Sequence, residues 1–172
     1  MILNQQHSYP LRLSILNDYV RDLKRRLKLG KHDWNICFMD DDGIRRFNAA
    51  FRGKDYPTDV LSFRWDESAG RRRSARAAQT RSRAPLRATK RPRPEAELAG
   101  FLGDIVISVE TARRNARQEG HSTLHEIRWL ILHGVLHLLG YDHEHDNGEM
   151  TALELALREQ LAAAGSSRTR GD

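Results

Sequence analysis

The stretch from His133 to His143, H-G-V-L-H-L-L-G-Y-D-H, admits few arrangements. Its apolar residues, with His133 and His137 four apart, fit an α-helix, on which such a pair shares one face about 6 Å apart along the axis. Two imidazoles placed so can grip one metal ion. Gly140 follows where helices commonly stop in a left-handed conformation that glycine adopts without a Cβ penalty. The turn Gly140-Tyr141-Asp142 then allows His143 to swing back toward the pair. Three neutral nitrogen ligands leave a fourth tetrahedral position for water, as in a catalytic rather than a structural zinc site. Histidines on apolar helix faces are usually core residues, but a third one behind a helix-stopping glycine weighs against coincidence.

The spacing H-x-x-x-H-x-x-G-x-x-H is shared with the metzincin proteases, which place a glutamate directly after the first histidine as general base. Here that position is Gly134, so a protease mechanism lacks its base. A glycine there either makes room for a larger substrate or makes a helix-packing contact. With this change the stretch resembles the signature of the YbeY family, the metal-dependent single-strand endoribonucleases of bacterial rRNA maturation. Two more segments are similar to that family: F-N-A-A-F-R-G-K-D-Y-P-T-D-V-L-S-F from Phe47 to Phe63, and L-G-D-I-V-I-S from Leu102 to Ser108. The resemblance covers about Phe38 to Asp146, apart from one insertion.

The resemblance implies hydrolytic cleavage of single-stranded RNA, in 3′-end maturation of 16S rRNA and in ribosome quality control, with the small ribosomal subunit as partner. It implies one Zn2+ ion held by His133, His137 and His143. Arg52 matches the family's catalytic loop arginine. Arginine suits a phosphodiester because its planar fork donates two parallel hydrogen bonds and keeps its charge. The candidate catalytic residues are therefore Arg52, His133, His137 and His143, with Arg52 and Lys54 as RNA contacts. The general base stays open. Asp142 is a possible partner of a ligand, and His121, His125 and His145 read as surface or supporting groups. Two alternatives also stay open: a divergent zinc metallopeptidase, and a non-catalytic ribosome assembly factor with a structural metal.

Charge points the same way, but only locally. The net charge is +6. From Arg71 to Pro94 there are nine arginines and one lysine with no acid, which leaves 19 of the 29 basic residues against all 23 acidic ones. One segment thus makes an otherwise acidic body basic, either as an electrostatic tether for RNA or as a tolerated surface insertion. Residues 66–98, rich in Arg, Ala, Ser and Pro, bury too little apolar surface to offset their conformational entropy, which predicts a disordered loop between two strands. The single cysteine, Cys37, has no internal partner. With no signal peptide and no apolar run near 18 residues, the expected location is cytoplasmic, away from any membrane.

The rest of the chain reads as α+β: a small mixed four-stranded sheet packed with helices, and the metal site at the end of a central helix. Strands are expected around Met1, Trp34, Val60 and Asp104. The aspartates 40–42 read as a turn and helix N-cap, with Ile44, Phe47, Ala50 and Phe51 as the buried side of the helix that follows. Arg52, Lys54 and Asp55 are expected in the loop before the third strand, and Asp104 either shapes the metal pocket or caps a neighbour. Val109–Glu119 has helical composition. Thr123 with Glu126 forms a capping box for the central helix. Asp146 with Glu149 starts the last helix, Met150 to Ala164. The expected domain is one unit over residues 1–165, interrupted by the insertion, with a flexible tail over 166–172.

Overall fold

The computed structural model describes residues 1–65, 100–141 and 148–167. The proposed ligand His143, its neighbours Asp142, His145 and Asp146, the insertion 66–98 and the end of the tail, 168–172, lie outside the described residues.

The described elements run in the order β1 (Ile2–Asn4), α1 (Leu13–Arg26), β2 (Asp33–Met39), α2 (Asp41–Arg52), β3 (Val60–Arg64), β4 (Phe101–Ser108), α3 (Val109–Gln118), α4 (Thr123–Leu139) and α5 (Glu149–Ser167). The sheet order is β1-β2-β4-β3. β1, β2 and β4 are parallel, and β3 runs antiparallel to β4 along one edge. This is the mixed four-stranded α+β sheet that the sequence predicts. The last helix runs to Ser167, into the segment expected to be tail.

Alternation along the strands separates two faces. Trp34, Ile36 and Phe38 of β2 join Ile105 and Ile107 of β4 in the main core, with Leu16 and Leu23 of α1, Ala112 of α3 and Ile131 and Val135 of α4. Fully burying an aliphatic side chain such as Ile131 contributes about 1.5–3 kcal/mol. On the other face a smaller cluster, Met39, Leu61 and Val106 with Ile44, seats α2.

α4 is apolar nearly all round and correspondingly deeply buried. Its N-cap is Ser122, whose hydroxyl accepts from the His125 backbone N–H at 3.2 Å, and not Thr123. The cap therefore falls one residue earlier than the expected box. Glu126 is released from a capping role: it is buried, with a carboxylate oxygen 3.2 Å from His121 Nε2. The helix ends at Gly140, whose φ of 99° is the left-handed conformation expected of it.

α2 departs from its expected orientation. Asp40 caps it, accepting from the Gly43 N–H at 2.7 Å. The buried residues, however, are Ile44 and Asn48, while Phe47, Ala50 and Phe51 are exposed. Asn48 sets this rotation: its Nδ2 donates to the Tyr56 carbonyl at 2.8 Å and ties the following loop beneath the helix. Asp41 fixes the other end. It accepts from Ser108 Oγ at 2.5 Å, Thr111 Oγ1 at 2.7 Å and Arg114 Nη1 at 2.7 Å, so one carboxylate joins the starts of α2 and α3. Burial pushes the Asp41 carboxyl up, but these hydrogen bonds outweigh it and hold it below its ordinary value.

Candidate functional site

The last turns of α4 bring His133 and His137 together. Their Nε2 atoms stand 3.0 Å apart and their ring centroids 4.6 Å apart. Each ring is held from behind. His137 Nδ1 lies 3.1 Å from the Tyr141 carbonyl, an acceptor, which makes Nδ1 the protonated nitrogen and Nε2 the one that can ligate. His133 Nδ1 lies 3.5 Å from Glu154 Oε2, and the other Glu154 oxygen accepts from Arg158 Nη2 at 2.6 Å. Burial pushes Glu154 up, but the hydrogen bond from His133 and the charge of Arg158 outweigh it, so its carboxyl sits below the ordinary range and stays ionised.

The pair fits a divalent metal. Two nitrogens bound tetrahedrally at about 2.0–2.1 Å lie about 3.3 Å apart, close to the spacing seen here. A carboxylate or carbonyl behind each imidazole is the usual support of metal-ligating histidine. Among the described residues no group of three His, Cys, Asp or Glu side chains converges on one point; the third proposed ligand, His143, is not among them. Sequence reasoning missed Glu154. Its signal was a carboxylate within the buried stripe Met150, Glu154, Leu157 of α5, where an aliphatic residue would be ordinary.

Gly134 is a packing contact. A Cβ there would lie 2.9 Å from both Cδ1 and Cγ2 of Ile105 and 3.1 Å from Ser62 Oγ. A side chain at this position therefore aims into the sheet. Successive helical residues turn by about 100°, which places Ile131 and Val135 about 60–100° to one side of Gly134 and the two histidines as far to the other. Ile131 and Val135 are fully buried. The histidines accordingly turn away from Ile131 and Val135, and His133 faces Glu154 of α5.

Arg52 is the last residue of α2 rather than part of the loop, and it is exposed. Among the described residues its guanidinium makes no ion pair or side-chain hydrogen bond, and none joins it to either histidine. Lys54 is likewise exposed, in the loop that follows. Asp104 neither shapes the histidine pair nor caps a helix: its Oδ1 accepts from Asn35 Nδ2 at 2.9 Å across neighbouring strands. Arg64, which the sequence reading passed over, lies against the end of α4, its Nη1 3.0 Å from where a Cβ of Gly140 would sit. It also borders a cavity of about 650 Å³ formed with Trp65, Phe101, Leu102, Leu138 and Leu139, which neither His133 nor His137 lines.

At the other end of α4, His121 and His125 also come together, their rings 5.1 Å apart. Both pack edge-on against Trp129, at 4.8 and 4.3 Å. No described helix is long and apolar enough to cross a membrane.

Comparison with known proteins bears on this site. A family model described as Endoribonuclease YbeY matches residues 3–162. An Endoribonuclease YbeY of Nautilia profundicola is 40% identical over 141 residues, 81% of this chain and 80% of the relative. Another, of Moorella thermoacetica, is 35% identical over 168 residues, 95% of this chain and 94% of the relative. The solution structure of a Thermotoga maritima protein shares the fold, with a TM-score of 0.58 at 24% identity, covering 100% of this chain and 96% of that one.

Proposed function

Since the chain belongs to the YbeY endoribonuclease family, we propose that it hydrolyses phosphodiester bonds of single-stranded RNA at the histidine end of α4. Its biological task in this reading is 3′-end maturation of 16S rRNA and ribosome quality control, with the small ribosomal subunit as partner. The observation that carries the reading is the 3.0 Å approach of two imidazole Nε2 atoms whose rings are each oriented from behind.

His133 and His137, with His143, would hold one zinc ion. The chemistry such an ion supplies when bound is Lewis acidity. The chain's own contribution is orientation and charge. The Tyr141 carbonyl and Glu154 fix the tautomers and tilts of the two rings. Arg52, exposed and without an acidic partner among the described residues, donates to the phosphate and stabilises its developing charge, with Lys54 beside it as a second cation. Gly134 allows α4 to lie against β3 and β4, so that the ligating turn sits at the sheet edge.

The test is cleavage of an end-labelled single-stranded RNA by highly purified protein with zinc, comparing wild type, Arg52→Ala and His137→Ala at equal folded concentration. Loss of cleavage in both variants with folding intact is the expected result. Equal activity in all three would mean that the cleavage belongs to a contaminant, and the reading would be withdrawn.

A further inference from the structure

Three phenylalanines stand together on the α2 face of the sheet: Phe47 and Phe51, one helical turn apart, and Phe63 of β3. Phe47 and Phe51 lie nearly parallel with centroids 6.1 Å apart, and Phe63 lies 4.9 Å from Phe51 and 6.2 Å from Phe47. Phe51 is 66% exposed and Phe47 37%. A contiguous exposed aromatic patch marks a surface that something covers. Here the helix turns its polar Asn48 inward and leaves the rings outside.

The charges around the patch indicate what covers it. Arg46 precedes Phe47 and Arg52 follows Phe51 on the helix that carries two of the rings; among the described residues neither forms an ion pair, nor does Arg64 on the opposite face of β3, whereas Arg45 reaches Asp42 at 3.9 Å and Asp55 at 3.3 Å. Aromatic faces bordered by unpaired cations are the recognition chemistry of single-stranded nucleic acid, whose bases stack while its phosphates are neutralised. Position agrees. β3 is the edge strand, and its successive residues Phe63 and Arg64 point to opposite faces. Phe63 joins the patch, while the Arg64 guanidinium reaches the end of α4 beside Gly140.

We infer that Phe47, Phe51 and Phe63 form a stacking platform for unpaired bases of the RNA substrate, and that Arg64 holds the phosphate backbone where it rounds the β3 edge toward His133 and His137. This rests on the endoribonuclease reading and names how that site recognises its substrate.

The test uses the full-length protein and an unstructured oligoribonucleotide carrying 2-aminopurine at successive positions. Wild type quenches the fluorescence at positions stacked on the platform. Phe51→Ala and Phe47→Ala/Phe51→Ala lose that quenching and bind about 5- to 160-fold more weakly, the range for losing a stacked base. Phe51→Tyr restores both, and Phe51→Leu, which keeps an apolar side chain without the ring, does not. In cleavage assays the loss falls on KM, with kcat near wild type. Arg64→Ala lowers the salt slope of binding by about one.

Wild-type quenching and affinity in the double variant, at an unchanged melting temperature, would overturn the platform. So would unchanged RNA affinity combined with lost association with a ribosomal protein, which would make the patch a protein-docking surface. If wild type itself neither binds nor cleaves the RNA, the endoribonuclease reading fails, and the platform with it.

Discussion

The two ends of α4 carry histidines at the same four-residue spacing and use them in opposite ways. At the C-terminal end, His133 and His137 lie within the helix, their Nε2 atoms 3.0 Å apart and their Nδ1 atoms turned to Glu154 and the Tyr141 carbonyl. At the N-terminal end, His121 stands outside the helix that Ser122 caps, so four residues no longer amount to one helical turn. There the rings of His121 and His125 pack on Trp129, which the Arg158 guanidinium covers at 4.1 Å. The helix dipole separates the ends as well, favouring a cation at the C-terminus and opposing one at the N-terminus. The same spacing brings two Nε2 atoms to 3.0 Å where both residues lie within the helix, and two rings to an aromatic stack on Trp129 where one lies outside it.

The largest test of this contrast removes one histidine at each end. His137→Ala should lose bound metal and cut RNA cleavage by about 100-fold or more, exceeding the usual effect of losing a supporting partner. His125→Ala should retain wild-type metal content, measured by elemental analysis of protein purified without chelator. Loss of metal from both variants would erase the distinction between the two ends.

A smaller effect is expected from the acceptor behind His133. Glu154→Gln keeps the shape of the side chain but replaces a carboxylate that both His133 and Arg158 contact. Zinc affinity in competition with a chelating dye should fall about 10- to 100-fold. An unchanged affinity would mean that His133 is oriented by the helix alone.

What was legible in the sequence follows the same division between local and distant causes. α4 and its stop at Gly140 were readable because an apolar run and a left-handed glycine act within a few residues. The four strands were readable from clustered apolar residues. Phe47 and Phe51 were misread as buried because helical periodicity shows that a helix has an apolar side but cannot show that Asn48, bonded to Tyr56, takes the inward place. The N-cap moved from Thr123 to Ser122 because an adjacent hydroxyl caps equally well, even though only Thr123 has a glutamate three residues on. Glu154 lies on another helix 21 residues from its partner, and the role of Gly134 depended on Ile105 lying opposite it. Contacts of that kind are set by the tertiary fold.

Gly134 also sharpens the comparison, since it sits on α4 between the two ends. In Gly134→Ala the new methyl meets Ile105 at 2.9 Å. Overpacking costs about 1–3 kcal/mol, and the better helix propensity of alanine returns about 1 kcal/mol. A net loss of up to about 2 kcal/mol should lower the melting temperature by several degrees, as thermal unfolding would show. A melting temperature above that of wild type would mean that Ile105 moves aside at no cost and that α4 is held loosely at its centre.

The smallest effect concerns charge at the N-terminal end. Burial pushes the His125 imidazole below its ordinary value, and the neighbouring His121, Arg128 and Arg158 push it the same way. The folded protein therefore binds this proton less readily than the unfolded chain, whose histidine titrates near pH 6.5. Stability from neutral His125 is fully present above about pH 6.5 and is lost as pH falls below that, toward the lower folded value. Glu126 acts with opposite sign, because burial raises its carboxyl, and it is present in both proteins of the comparison that follows. His125→Phe keeps a ring against Trp129 without the titration. Its melting temperature should fall less than that of wild type between about pH 7.5 and 5.5, and because His133 and His137 are present in both proteins, the difference isolates His125. Parallel curves would mean that His125 binds its proton equally well in the folded and unfolded chain, and the electrostatic half of the contrast between the two ends would fall.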